Sequence, residues 1–392
     1  MFLQQERISL INKKRNSFFN RLMNNFYFPW KKIKKSFSSR KLIVGILITE
    51  KCNLNCVYCY EKYKTNKTIT LSKMQEIISY VMNANSIWTD IEFRLLGGEP
   101  FIAFNLIREV VEWTFAKKWP KRCSFKITTN GTLLDEEMKR WLRQYRNRIC
   151  VVLSLDGPAY VHNKNRNDSY SNIDYAFFRE IWPQQFIKMT VNKNTISELF
   201  NSIVYIQDYL GLNVSFSLAG GVKWDKKDLE AFEEEQKKMM IFYTEKKNKL
   251  PPLYDIDLAR ILYPRKSNRQ CGIGHNVVAY DTDGNSFPCH LFLPNVIGKK
   301  NIPQFSELAN DQFLVDDYCK GCIIENICPT CYAFNFIERK NCNMRDHNFC
   351  AFYKSIIKYS ALHKMNRYSK QFYFNRNELK EIEAILFLNE NL

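Results

Sequence analysis

The stretch Thr49-Glu-Lys-Cys-Asn-Leu-Asn-Cys-Val-Tyr-Cys-Tyr-Glu61 sets Cys52, Cys56 and Cys59 within eight residues, directly after the apolar run 42–48. Three thiolates at C-x3-C-x2-C spacing can reach one compact metal centre, but they leave a four-iron cubane one ligand short. A structural zinc takes four protein ligands and closes its site. An iron with an open position can instead bind and activate a second molecule. The plain alternative, three unrelated buried cysteines near a strand end, is disfavoured by the spacing.

Outward from this loop, residues 42 to about 245 alternate short β-branched runs with amphipathic helical stretches. The strand-like runs are 42–48, 91–96, 124–129, 151–155, 187–191 and 214–218, and the helical ones 72–83, 105–116, 135–144, 173–181, 196–209 and 227–244. Strands alternating with helices at this pitch predict a parallel sheet with right-handed crossovers. Six units are too few for a closed eight-stranded barrel, so the expectation is an α/β fold, a partial (βα)6 TIM-like barrel. Chemistry in such folds gathers where strands end and βα loops begin, which puts the Cys52–Cys59 loop on the reactive face.

A chain of 392 residues can build a core of barrel size and one smaller module. With 45% hydrophobic and 15% aromatic residues it is globular rather than disordered. The organisation predicted is a basic aromatic N-terminal arm (1–41), the partial barrel (42–250), a cysteine-rich module (251–350) and a helical C-terminal tail (351–392). Eight of the thirteen cysteines fall in the third segment, which is turn-rich and poor in helical periodicity. An odd number of clustered cysteines, with no signal-peptide pattern in 1–41, favours metal binding in a reducing cytoplasm over a disulfide framework. No run approaches the roughly 20 apolar residues of a membrane span, so no membrane partner is expected.

The formal charge is +18, with its excess in the arm, where Lys13, Lys14, Arg15, Lys31, Lys32, Lys34 and Lys35 interleave with Phe18, Phe19, Phe26, Tyr27, Phe28 and Trp30. That pattern suits RNA, a membrane surface, an acidic peptide or merely a solvated segment, and so gives a polyanionic partner only weak support.

Three strand-end motifs follow the cysteine loop: Leu96-Gly-Gly-Glu-Pro100, Thr128-Thr-Asn-Gly-Thr132 and Ser154-Leu-Asp-Gly-Pro158. Two glycines allow close approach to the backbone, and exposed carbonyls with Glu99 would make a negative pocket for an ammonium group. Polar side chains at successive strand ends converge on one cavity. Arg166, shortly after the fourth strand, is placed to grip a carboxylate.

Cys52-x3-Cys56-x-Tyr58-Cys59 followed by Gly97-Gly98-Glu99-Pro100 resembles the radical S-adenosylmethionine (SAM) enzymes, over a span from about residue 42 to 221. The resemblance implies a [4Fe-4S] cluster on Cys52, Cys56 and Cys59 whose unique iron chelates the amino and carboxylate groups of SAM. It further implies that Gly97, Gly98 and Glu99 contact the methionyl amine, Tyr58 lies near adenine, and Ser154 and Arg166 serve ribose and carboxylate. Reductive cleavage of the sulfonium would then give a 5′-deoxyadenosyl radical that abstracts hydrogen from an unactivated C–H bond.

The later cysteines resemble the SPASM auxiliary-cluster domain. Cys271 precedes Asp281-Thr-Asp-Gly284 and Cys289, and then come Cys319-x2-Cys322-x5-Cys328-x2-Cys331, Cys342 and Cys350. That match implies two auxiliary [4Fe-4S] clusters, an inner one on Cys271, Cys289 and Cys331 and an outer one on Cys319, Cys322, Cys328 and Cys350. The family usually has three residues between the cysteines matched to Cys328 and Cys331, and the inner set lacks an obvious fourth cysteine. An open site, Cys342 or His275 are the options for it, and zinc is the structural alternative for the whole region.

Sulfatase-maturating relatives carry an aspartate base after the cysteine matched to Cys289, whereas here the residue is His290. The run Cys271-Gly-Ile-Gly…Asp-Gly…Phe-Pro-Cys-His290 is more similar to maturases of ribosomally made peptides, with His290 as a base or as a hydrogen-bonding neighbour of the cluster. The expected function is therefore a peptide maturase that abstracts a side-chain hydrogen and closes a carbon–carbon, ether or thioether crosslink. Its partners would be a precursor peptide and an electron donor such as flavodoxin or ferredoxin. Formylglycine generation on a sulfatase is the second expectation. An RNA-modifying enzyme, given the charge, and a non-catalytic scaffold are weaker ones, and nucleic acid is not the expected substrate.

Overall fold

The structure, a computed structural model, describes residues 40–245, 250–265, 271–298, 308, 314 and 316–391. The arm expected over 1–41 thus lies outside the described residues except for Arg40 and Lys41.

All six strand-like runs form strands: β1 (Lys41–Thr49), β2 (Asp90–Gly97), β3 (Arg122–Thr129), β4 (Ile149–Leu153), β5 (Phe186–Val191) and β6 (Asn213–Leu218). β1 to β4 pair in parallel in chain order, as do β5 and β6. The two sheets meet at a single parallel bridge, Ser154 with Lys188. Period-two alternation sorts each strand. Val44, Ile46, Phe93, Leu95, Phe125 and Ile127 are buried in the core, while Gly45, Arg94, Lys126, Val152 and Lys188 line an interior cavity.

The outer layer is α1 (Leu71–Asn83), α2 (Phe104–Ala116), α3 (Glu136–Tyr145), α4 (Ala159–Asn165), α5 (Tyr175–Ile181), α6 (Leu199–Val204) and α7 (Lys226–Glu245). Side-chain caps start several of these helices. Thr70 Oγ1 accepts from Lys73 N at 3.2 Å and Asp135 Oδ1 from Met138 N at 2.8 Å, satisfying donors the first turn leaves free. Met74, Ile78 and Met82 on α1 and Ile107, Val110 and Val111 on α2 then bury an apolar stripe on the sheet.

The cysteine-rich segment adds two strands that the period analysis did not anticipate. β7 (Val277–Tyr280) pairs in parallel with β1, and β8 (Ser286–Phe287) pairs antiparallel with β7, giving the order β4-β3-β2-β1-β7-β8. Gly45 fits this junction because a Cβ there would sit 3.3 Å from the Cβ of Ala279 and 2.9 Å from Leu96 Cδ1. The segment also has its own apolar cluster, with Phe287, Phe292, Leu293, Val296 and Tyr332 packed around Leu47 of β1. It is therefore anchored to the barrel by hydrophobic burial as well as by whatever its cysteines bind. Beyond it, α8 (Tyr332–Arg339), α9 (Cys350–Tyr368) and α10 (Arg376–Asn391) close the chain, and α9 docks on α7 through Gln236 Nε2–Ser355 Oγ at 2.7 Å. No helix among the described residues is long and apolar enough to cross a membrane.

Candidate active site

The cysteine loop is tied to three successive strand ends. At the β2 end, Gly98 N donates to Thr49 O (3.0 Å) and Glu99 N to Lys51 O (2.8 Å). At the β3 end, Asn130 Nδ2 donates to Asn53 Oδ1 and Asn53 Nδ2 to Thr132 Oγ1, both at 2.9 Å. After β4, Val57 N donates to Asn165 O (3.0 Å) and the Tyr58 hydroxyl to Asp156 Oδ2. The loop is therefore positioned by the sheet rather than by its own short-range structure.

The two glycines have a different reason from the one expected. A Cβ on Gly98 would lie 2.4 Å from Lys51 O and 2.8 Å from Cys52 Cβ, and one on Gly97 would lie 2.9 Å from Thr49 O. They admit the cysteine loop itself against the β2 turn. Glu99 is likewise no bare negative pocket. It is 1% exposed, and its carboxylate accepts from Phe101 N (3.1 Å), Thr129 Oγ1 (2.8 Å) and Asn130 N (2.8 Å). Burial outweighs these donors and pushes its carboxyl up to about 7.

Arg166 is buried, and the carboxylate it grips belongs to the protein. Its Nε and Nη2 meet Asp156 Oδ2 and Oδ1 at 3.0 and 3.2 Å, and its guanidinium lies 5.3 Å from the Tyr58 ring centre. Asp156 also accepts from Asn165 Nδ2 (3.2 Å) and Thr190 N (3.0 Å). It sits where strand pairing between β4 and β5 is reduced to one bridge, and a side chain takes over the role of the missing ladder. Asp156 was quoted within the Ser154–Pro158 run but given no role; a carboxylate just past a strand end was the available signal.

Cys52, Cys56 and Cys59, with Tyr58, Gly97, Gly98, Glu99, Ser154 and Arg166, all line one cavity of about 750 Å³. Cations stand beside the sulfurs: Lys64 Nζ is 3.6 Å from Cys59 Sγ, and Arg166 opposes the burial that raises the Cys56 thiol. Leu54 N donates to Cys52 Sγ at 3.4 Å. Three sulfurs with nearby positive charge and a backbone donor suit an anionic metal cluster.

His290, from the cysteine-rich segment, forms part of the same cavity wall, edge-on to Tyr60 with ring centres 6.0 Å apart. Burial, then the charges of Lys188 and Arg94, lowers its imidazole to about 4, so at neutral pH it is uncharged.

Seven of the ten remaining cysteines lie near one another in two sets. Burial raises Cys289 to about 12, with Cys331 and Cys271 near enough to add to the shift. Burial raises Cys328 to about 11, with Cys350, Cys319 and Cys322 as neighbours and the Arg345 guanidinium opposing. Such thiols stay protonated at neutral pH unless a metal ionises them. Among the described residues, Asp316, Cys319 and His347 form the group whose ligand atoms all lie within 4.8 Å of one another. Neither cysteine set meets that spacing, which a single zinc with bonds of about 2.3 Å would need. His275 packs edge-on against Trp88 at 5.6 Å, and Cys342 O accepts from Asn335 Nδ2 at 2.9 Å.

The profile of the radical SAM superfamily matches residues 46–177, which hold the cysteine loop, the β2 turn and the Asp156–Arg166 pair. The chain carries a radical SAM domain. The radical SAM cyclopropyl synthase TigE of Paramaledivibacter caminithermalis is 26% identical over 146 residues, 33% of this chain and 29% of that protein, so the chain spans under a third of that relative's length. A cysteine-type anaerobic sulfatase-maturating enzyme of Clostridium perfringens is 21% identical over 349 residues, covering 79% of this chain and 93% of the relative. Among solved structures, native anSMEcpe with bound AdoMet superposes with a TM-score of 0.66 at 22% identity, covering 84% of this chain and all of that one. Streptococcus suis SuiB bound to precursor peptide SuiA superposes with a TM-score of 0.55 at 16% identity, covering 87% and 88%. The structural likenesses confirm the α/β fold with its parallel sheet.

Proposed function

We propose that the protein is a radical SAM peptide maturase that abstracts a side-chain hydrogen from a precursor peptide and closes an intramolecular carbon–carbon, ether or thioether crosslink. The observation that carries this reading is the shared cavity. Its lining holds Cys52, Cys56 and Cys59 together with His290, adjacent to Cys289 of the inner cysteine set. At about 750 Å³ it falls in the range of small-molecule and cofactor sites.

Cys52, Cys56 and Cys59 fit a [4Fe-4S] cluster with SAM at its open iron, which would supply a hydrogen-abstracting 5′-deoxyadenosyl radical on one-electron reduction by a flavodoxin or ferredoxin. The chain's own residues orient and shield. Gly97 and Gly98 let the loop sit close to the β2 turn, Glu99 presents a buried carboxyl, and Asp156 holds Arg166 and Tyr58 at the rim. Ser154 lies at the β4–β5 seam, facing the same space. His290, uncharged, can accept a proton from the substrate. Cys271, Cys289 and Cys331, and separately Cys319, Cys322, Cys328 and Cys350, would hold two auxiliary [4Fe-4S] clusters that take up the electron released by ring closure.

The test is anaerobic reconstitution of the wild type and of the Cys52/Cys56/Cys59→Ala variant, with 5′-deoxyadenosine measured by mass spectrometry. Formation by the wild type and none by the variant is expected; undiminished formation in the variant would overturn the assignment. Formylglycine generation is the second reading, favoured by the near full-length match to a sulfatase-maturating relative. A sulfatase-derived Cys or Ser peptide converted to the aldehyde would establish it in place of crosslinking.

A further inference from the structure

The cavity wall carries cations that the radical SAM reading does not use. Arg94 on β2 and Lys126 on β3 are direct cross-strand partners, and both line the cavity. Like charges opposite one another destabilise a sheet, so something must repay their placement. Glu92 answers Arg94 at 2.7 Å, but the same carboxylate also receives Lys41.

Among the described residues, Lys126 has no acidic partner. Lys188 on β5, two strands from Lys126, likewise pairs with no carboxylate among them, and it too lines the cavity. Its side chain is solvent-accessible within that cavity; the surrounding walls and then Arg166 lower its pKa, and Asp156 and Glu61 only partly oppose them. Asp156 is already committed to Arg166 and Tyr58. Lys126 and Lys188 each stand three residues before the end of their strand, Thr129 and Val191. At about 3.3 Å per residue this places them some way below the rim where the cysteines lie.

A protein keeps unpaired ammonium groups in a recess when an anion completes them. We propose that Lys126 and Lys188 bind a carboxylate of the substrate, so that the peptide residue placed in the cavity is acidic or lies beside an acidic one. The inference rests on the peptide-maturase reading for the identity of the substrate, and on the cation placement alone for its charge. It adds a specificity determinant on β3 and β5, below the strand ends that hold the cysteine loop.

Differential acetylation tests it on the reconstituted, SAM-loaded protein. Lysine reactivity toward acetic anhydride is followed by peptide mapping, with N-acetylglutamate amide, N-acetylglutamine amide or N-acetylalanine as probe. Protection of Lys126 and Lys188 by about tenfold with the glutamate probe and none with the glutamine probe is expected, the effect of a charge-assisted hydrogen bond. Equal labelling with both overturns the proposal, as does full protection by SAM before any probe is added, which would assign the wall to the cofactor. Protection by N-acetylalanine but not by the glutamate probe overturns the acidic-residue assignment, because the carboxylate bound is then a chain terminus. Protection in a protein that forms no 5′-deoxyadenosine keeps the carboxylate site and overturns the maturase reading, so the two failures are distinct. Lys126→Met and Lys188→Met should each abolish the preference for a glutamate over a glutamine peptide in anisotropy binding; a preference retained in the double variant counts against the site.

Discussion

Arg166 and Asp156 meet fork to fork, Nε to Oδ2 at 3.0 Å and Nη2 to Oδ1 at 3.2 Å, with Asp156 fully buried and Arg166 nearly so. The pair joins three functions of the fold. It bridges the β4–β5 seam through Thr190 N, orients Tyr58 in the cysteine loop, and sets a cation beside Cys56.

Asp156→Asn should therefore act on both stability and site. Removing one partner of a buried ion pair leaves the other uncompensated, at a cost of about 3 kcal/mol. Urea denaturation should show that loss, and SAM binding by equilibrium dialysis should weaken with it. A variant as stable as the wild type would mean that water or another residue answers Arg166.

Gly98→Ala should displace the cysteine loop. The added methyl would meet Lys51 O at 2.4 Å, a backbone atom that cannot swing aside. Overpacking of this kind costs about 1–3 kcal/mol. The sharper expectation is loss of iron from the Cys52–Cys56–Cys59 site on anaerobic reconstitution, read as iron per chain.

His290 sets a pH expectation. Its folded pKa, about 4, lies below the ordinary histidine value of 6.5, so the folded state disfavours its proton. Its contribution to stability is present above that ordinary value and is lost as pH falls toward about 4. His290→Gln should flatten the stability curve across that window in denaturation scans. Near neutral pH the activity profile should carry no ionisation from this imidazole, and a limb at about pH 6.5 that vanishes in the variant would contradict that.

Iron counting separates the cysteine groups. Roughly three cubane equivalents are expected in the reconstituted wild type. Cys328→Ala should lose about a third of that iron while still forming 5′-deoxyadenosine from SAM, because Cys328 belongs to the outer group. Zinc in place of the missing iron, in the wild type, would refute the auxiliary clusters and leave the barrel site standing.

Strand and helix positions were legible because they depend on local period. The six short β-branched runs became β1 to β6, and the helical stretches between them were found within a few residues of their ends. Hairpin β7–β8 was missed because a four-residue strand and a two-residue strand carry too little period to register. The glycines of the β2 turn were read as leaving room for a ligand, and the sequence could not say that the chain's own Lys51–Cys52 backbone comes close to them.

The sequence by itself determined the parallel alternation and the three-cysteine loop at the first strand end, since each is a matter of spacing along a chain of fixed geometry. The tertiary structure decided which distant groups face one another. Tyr58 meets Asp156 across 98 positions, and His290 joins Arg94 and Lys188 in one cavity wall. Asp156 holds Arg166. Those contacts follow from how sheet, seam and hairpin pack, and no local period encodes them.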